Sequence, residues 1–178
     1  MEEYLLIKKA QRGDKEALSS LIAFYYSPVY TYFYKNTDQY HLSMDMTQEV
    51  FIKMAAGISG YKPKVPFKSW LFTIASNHLK NYYRTASRRP GFTELSEDIP
   101  ADISVTSSVE IRCDIQKALE GLPPEQRETV ILRFYNEFSV KEIAKITGAM
   151  ETTVKARIRY GLEKLKKELE GYNEKNKQ

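Results

Sequence analysis

Lys155, Ala156, Arg159, Tyr160 and Glu163 are spaced so that, at 100° per residue, they share one side of a helix. Val154, Ile158, Leu162, Leu165 and Leu169 form an apolar stripe on the other side. The chemistry such a face can do is DNA reading. Ala156 permits close approach to a groove, Lys155 and Arg159 donate to guanine edges or phosphates, and Tyr160 can touch a base or sugar. Thr152 and Thr153 fall at the positive start of the same helix, where a phosphate can be held. A solvated basic face on an ordinary surface helix is the competing reading. The preceding residues tell against it. Ser139 and Glu142 form a Ser-x-x-Glu capping box ahead of a short helix with Val140, Ile143 and Ala144 on one side. Gly148 stops that helix, and the long basic one begins near Glu151 after a turn of about three residues, the layout of a helix-turn-helix.

Two further faces carry chemistry. On a helix expected from about Ser43 to Ala56, Met46, Thr47, Val50, Phe51 and Met54 point one way, and Asp45, Gln48, Glu49, Ile52 and Lys53 the other. An acidic, partly apolar surface on a basic module suits a basic protein partner rather than nucleic acid. A solvated face with one isoleucine is the alternative. A helix from Phe67 to about Ala86 is expected to bury Leu71, Ile74, Ala75, Leu79 and Tyr82. It presents Thr73, Asn77, Lys80 and Arg84, with Phe72 and Tyr83 at the margins and Arg88 and Arg89 following. Interleaved amides, cations and rings suit single-stranded DNA, whose bases stack on rings and bond through exposed edges. Most tyrosines, including Tyr25, Tyr26, Tyr30 and Tyr32, and also Trp70, read as core or half-buried packing.

The elements that must position these faces are almost all helical. Asp14 caps a helix from Lys15, and Pro28 predicts a kink or restart within AFYYSPVYTYFYK. Gly57, Gly60, Pro63 and Pro66 break the chain before the Phe67 helix, whose first turn suits Pro66. Ile111, Ile115, Ala118, Leu119 and Leu122 give a stripe stopped by Pro123, and Pro124 opens a helix with Val130, Ile131 and Phe134 that ends near Asn136. Charge divides the chain in the same places. Residues 1–90 hold 13 Lys+Arg against 7 Asp+Glu, residues 91–110 none against 5, and residues 111–178 hold 14 against 11. The acidic stretch GFTELSEDIPADISVTSSVE has the Gly, Pro and Ser/Thr content of an exposed linker, although Glu110 at its end falls next to the following helix. The expectation is an all-α protein of two helical domains, 1–90 and 111–178, joined by a flexible linker at 91–110.

Several classes are excluded by composition. The 178 residues are 42% hydrophobic and 28% charged, as expected for a soluble globular chain. No apolar run nears the roughly 20 residues of a membrane span, and MEEYLLIKKAQRGD is too charged for a signal peptide, so a cytoplasmic protein without membrane insertion is expected. Cys113 is the single cysteine, and His41 and His78 are the two histidines; a disulfide framework and a Cys/His metal cage are ruled out, and no cofactor is expected. An enzyme is not expected either. The chain has no Gly-Lys-Ser/Thr phosphate loop, no GxSxG elbow and no metal-spaced carboxylates, and Asp45 and Glu49, one turn apart, have no evident pocket. A stand-alone helix-turn-helix regulator would account for the C-terminal half but gives no reason for the faces around Gln48 and Asn77.

Asp-Met-Thr-Gln-Glu-Val-Phe-Ile-Lys at 45–53, Pro-Phe-Lys-Ser-Trp-Leu-Phe-Thr-Ile-Ala-Ser-Asn at 66–77 and Leu-Pro-Pro-Glu-Gln-Arg-Glu at 122–128 strongly resemble a bacterial extracytoplasmic-function (ECF) RNA polymerase sigma factor of the sigma-70 superfamily. So do Phe-Ser-Val-Lys-Glu-Ile-Ala-Lys-Ile-Thr-Gly at 138–148 and Thr-Val-Lys-Ala-Arg-Ile at 153–158. The resemblance implies a two-domain initiation subunit whose partners are core RNA polymerase, promoter DNA in double- and single-stranded form, and an anti-sigma protein. By it, Asp45, Gln48, Glu49 and Ile52 face the polymerase clamp, and Asn77, Lys80, Asn81 and Arg84 serve minus-ten recognition and melting. Thr152, Thr153, Lys155, Ala156, Arg157, Arg159 and Tyr160 then serve the minus-thirty-five element, and the acidic linker threads the polymerase near the RNA exit path. Met150, Thr152 and Gly161 stand where the family more often has Ser, Gly and Ala, Ala149 replaces a larger aliphatic residue, and Tyr160 replaces a basic or polar one.

Overall fold

A computed structural model describes residues 2–87 and 115–175. The expected linker, with Arg88, Arg89, Glu110, Ile111 and Cys113, lies outside the described residues. Among those described there are helices and turns and no strand.

Four helices form the N-terminal unit: α1 (Glu2–Gln11), α2 (Lys15–Thr37), α3 (Tyr40–Gly57) and α4 (Phe67–Ala86), with a 3₁₀ turn at Ile58–Gly60. Asp14 caps α2 as its type predicts, its carboxylate accepting from the Ala17 N–H at 3.0 Å. Asp38 ends α2 in the left-handed region at φ 51°, donating its N–H to Tyr34 O. Pro28 does not restart the helix. It sits inside a continuous α2, at a site where removing one backbone bond costs about 3 kcal/mol. Burial of Tyr25, Val29, Tyr32 and Phe33 on both sides of it outweighs that cost. Helix α3 begins at Tyr40, three residues before the expected Ser43, because Ser43 is drawn inside, its hydroxyl 3.1 Å from that of Thr37. Gln11 ties α1 to the turn before α4, its amide donating to Tyr61 O at 2.7 Å and Ile58 O at 3.2 Å. Trp70 is half-buried, its ring 5.0 Å from that of Tyr61 and 5.4 Å from that of Phe67. Tyr25 and Tyr32 are core, Tyr30 is half-buried, and Tyr26 stands exposed with its ring stacked on Tyr30.

The C-terminal unit comprises α5 (residues 115–120), α6 (Pro124–Phe134), α7 (Val140–Thr147) and α8 (Glu151–Lys175). Pro124 occupies the first turn of α6, as expected. Val130, Ile131, Ile143, Ile146 and Val154 make the centre, whereas Phe134 and Leu162 are exposed rather than packed inward. Gly161 fixes how closely α8 lies on α6: a Cβ there would stand 2.8 Å from Val130 Cγ2.

The two units meet along a seam, α4 against α7 and α2 against α6. Phe72, expected at a margin, is fully buried there with its ring 5.0 Å from Phe138 and 5.6 Å from Tyr32. The correction has a non-local cause, since the ring that covers Phe72 belongs to the other unit.

Candidate nucleic-acid interface

The helix-turn-helix forms as the residue pattern predicts. Ser139 accepts from the Glu142 N–H at 3.3 Å, while the Glu142 carboxylate accepts from the Ser139 N–H at 2.9 Å and its hydroxyl at 2.6 Å. These bonds from Ser139 hold the Glu142 carboxyl below its ordinary pKa. Gly148 turns the chain at φ 70°, a conformation a side chain resists, and returns its N–H to Ala144 O. Ile143, Ile146 and Val154 then clamp α8 across α7.

From that seat Thr152, Lys155, Arg159 and Tyr160 are exposed, and Ala156 is half-buried between them. The Arg159 guanidinium lies 4.7 Å from the Tyr160 ring centroid, an arrangement that holds the planar fork outward. Arg157 is not part of this face. It is half-buried and ion-paired with Glu125 on α6. Thr153 and Arg157 instead line a cleft of about 880 Å³ between the units, opposite Lys80 and Tyr83.

On α4, Asn77, Lys80, Asn81 and Arg84 are all exposed. Arg84 donates to Asn81 Oδ1 at 3.0 Å, which presents amide and guanidinium as one group. Lys80 turns toward the other unit and donates to Thr147 O, at the end of α7, at 2.6 Å. On α3, Asp45, Gln48, Glu49 and Ile52 share one exposed face, with Ile52 62% accessible. Beside them Lys53 Nζ lies 3.0 Å from His78 Nδ1, so the imidazole accepts and is neutral. Burial, and then the Lys53 charge, push the His78 pKa down, with Glu49 opposing.

The residue pattern missed the polar seam. Glu128, 4% exposed, accepts at one carboxylate oxygen from Tyr32 at 2.8 Å and from Ser76 at 2.6 Å. Burial, and then the Glu128 charge, push the Tyr32 phenol pKa well above its usual value. Arg127, 3% exposed, donates to Asn36 O at 2.6 Å across the seam and to Glu120 O and Leu122 O in its own unit. The available signal was a pair of charges beside Val130 and Ile131 on the apolar side of α6.

Residues 21–89 match the family description Sigma-70 region 2, and residues 114–165 match Sigma-70, region 4. The chain is 30% identical to the ECF RNA polymerase sigma factor SigW of Bacillus subtilis, over 92% of its own length and 94% of that protein's. It is 26% identical to the ECF RNA polymerase sigma-E factor of Escherichia coli K12, over 89% of each. Among solved structures, the sigma factor RpoE of Bartonella quintana, in complex with the anti-sigma factor NepR, superposes with a TM-score of 0.74 at 24% identity, covering 85% of this chain and 96% of that one. CnrH, in complex with the cytosolic domain of CnrY, gives 0.75 at 20% identity over 96% and 99%. These two likenesses speak for the fold.

Proposed function

The chain belongs to the extracytoplasmic-function family of RNA polymerase sigma factors and directs promoter-specific transcription initiation with core RNA polymerase; we propose how its surfaces divide that work. The unit at 1–90 grips the polymerase and opens the promoter, the unit at 111–178 reads the upstream element, and 91–110 connects them. The work is that of a regulatory, non-enzymatic subunit, done in the cytoplasm.

The acidic, partly apolar α3 face of Asp45, Gln48, Glu49 and Ile52 docks on a basic coiled coil of the polymerase clamp. Like signs would repel there, so charge selects the partner while Ile52 supplies apolar burial. On α4, Asn77 and the Asn81–Arg84 pair take unstacked minus-ten bases, with Lys80 on the backbone. On α8, Arg159, steadied by Tyr160, makes a bidentate contact worth about 1–3 kcal/mol of base discrimination at the minus-thirty-five element. Lys155, Thr152 and Thr153 bind phosphates, and Ala156 lets the backbone approach. An anti-sigma protein is a partner for the chain when transcription is held off.

One observation carries the reading: two separate outward surfaces, Asn77 with Arg84 on α4 and Lys155 with Arg159 on α8, stand on one chain. A free-standing helix-turn-helix regulator needs only the second. The test is run-off transcription from a matched promoter, with and without core polymerase. Product is expected only with core, and Arg159→Ala is expected to lose selectivity for the upstream element while still loading on core. Tight, selective duplex binding by the chain alone, with no transcription when core is added, would overturn the reading.

A further inference from the structure

Glu49 and Lys53 stand four residues apart on α3 with the acid nearer the helix start, the order in which a carboxylate and an ammonium pair most readily along a helix. They do not pair. Lys53 Nζ turns instead to His78 Nδ1 on α4, 3.0 Å away, and among the described residues Glu49 has no ion-pair partner. The seating of His78 makes this choice possible. Its ring stands edge-on to the fully buried Phe33 of α2, with centroids 6.2 Å apart and planes at 83°, which holds the imidazole beside α3. With Nε2 carrying the proton and Nδ1 free to accept, the neutral ring offers Lys53 a partner that brings no charge of its own.

Holding Lys53 in this way decides the charge of the neighbouring face. Asp45, Gln48, Glu49 and Ile52 are exposed together. An ammonium laid on Glu49 would cancel one of the two carboxylates there and shield it from a basic partner. Turned toward α4, it leaves both open. Burial and then the Lys53 charge push the His78 pKa down, and Glu49, also on α3, opposes them. From α2 the uncharged Phe33 ring faces His78, and on α4 itself Lys80 and Arg84 are bonded to Thr147 O and Asn81 Oδ1. His78 is therefore neutral at neutral pH and gains its proton only as pH falls below the ordinary 6.5, when Nδ1 becomes a donor and repels Lys53.

We infer that His78 is a positioning residue for polymerase loading: it holds Lys53 away from Glu49, so that the α3 face meets the basic clamp with its full negative charge. This rests on the docking reading of that face.

Two substitutions separate the tether from a packing role. His78→Phe keeps a ring against Phe33 and offers no acceptor, so Lys53 is expected to fall onto Glu49 and core binding, by native gel shift, to weaken about threefold at neutral pH. His78→Asn keeps an acceptor where Nδ1 stands and takes up no proton, and it is expected to bind like the parent. As pH falls to about 5 the parent is expected to lose its advantage over His78→Phe, while His78→Asn keeps it. In a Lys53→Met background His78→Phe is expected to make no difference, a dependence on Lys53 that damaged packing would not show. In the free chain, carbon-13 titration of the Glu49 carboxyl is expected to give a lower pKa in His78→Phe than in the parent, because Lys53 then stabilises the carboxylate. An unmoved Glu49 titration, or a weakening that persists in the Lys53→Met background, overturns the inference, as does a His78→Phe chain that binds core like the parent. Glu49→Gln tests the premise separately. If it leaves core binding unchanged, the docking reading falls and the role in loading with it, while the Glu49 titration, read without polymerase, still decides whether His78 holds Lys53.

Discussion

Charge is handled in opposite ways by the outer side of α8 and the inner side of α6. On α8, Lys155 and Arg159 stand in water and make few bonds within the protein. On α6, Arg127 and Glu128 are buried and bonded into the other unit. Exposed charge that does nothing for the fold is available to an outside partner. Buried charge bonded across a boundary records a partner inside the same chain.

Breaking the inner arrangement is expected to have the largest effect on stability. Arg127→Ala strips donors from Asn36 O, Glu120 O and Leu122 O and is expected to cost about 3 kcal/mol in urea unfolding. A loss below about 0.5 kcal/mol would place Arg127 with the surface cations. Gln48→Lys/Glu49→Lys, on the outer α3 face, is expected to leave unfolding unchanged and to cost about 2 kcal/mol in core binding by native gel shift. Unchanged binding by the folded variant would remove that face from the interface.

Ser139→Ala is expected to cost about 1 kcal/mol at neutral pH, measured by urea unfolding. Because the folded Glu142 pKa is depressed, the part of that contribution due to its charge is complete above the usual value of 4.5 and is lost as pH falls through the lower folded value. The gap between parent and variant should therefore narrow toward pH 3; a gap independent of pH would detach the cap from the Glu142 charge. The smallest effect belongs to Glu125→Gln. It breaks an ion pair whose Glu125 partner is largely exposed, so thermal unfolding should shift by less than about 0.5 kcal/mol. A larger shift would mean that Arg157 steadies α8 on α6.

What could be read from residue order is what short-range physics decides. The Asp14 cap, the Ser139–Glu142 box, the Gly148 turn and the proline start of α6 each depend on residues within a few positions of one another. The inward face of α3 followed from periodicity, as did Leu71, Ala75 and Leu79 on α4, whereas Ile74 and Tyr82, expected inside, are half-buried. Pro28 was misread because the burial that overrides it comes from other helices, and Phe72 because its cover, Phe138, lies on the other unit. The polar seam was beyond such reading, since Ser76 and Tyr32 reach Glu128 across 52 and 96 residues of sequence. Arg157 was grouped with the reading face by resemblance, and its half-buried pairing with Glu125 turns it to the back.

Gly161 leaves no room for a methyl between α8 and Val130. Any larger residue there must lift or roll the helix by roughly half an ångström to restore normal contact. The roll would be transmitted along a rigid rod to Arg159, about half a turn away, and Lys155, nearly two turns away, displacing both donors relative to the base edges they address. Promoter preference can thus drift through a substitution that never meets DNA, on the side of α8 that faces its own scaffold.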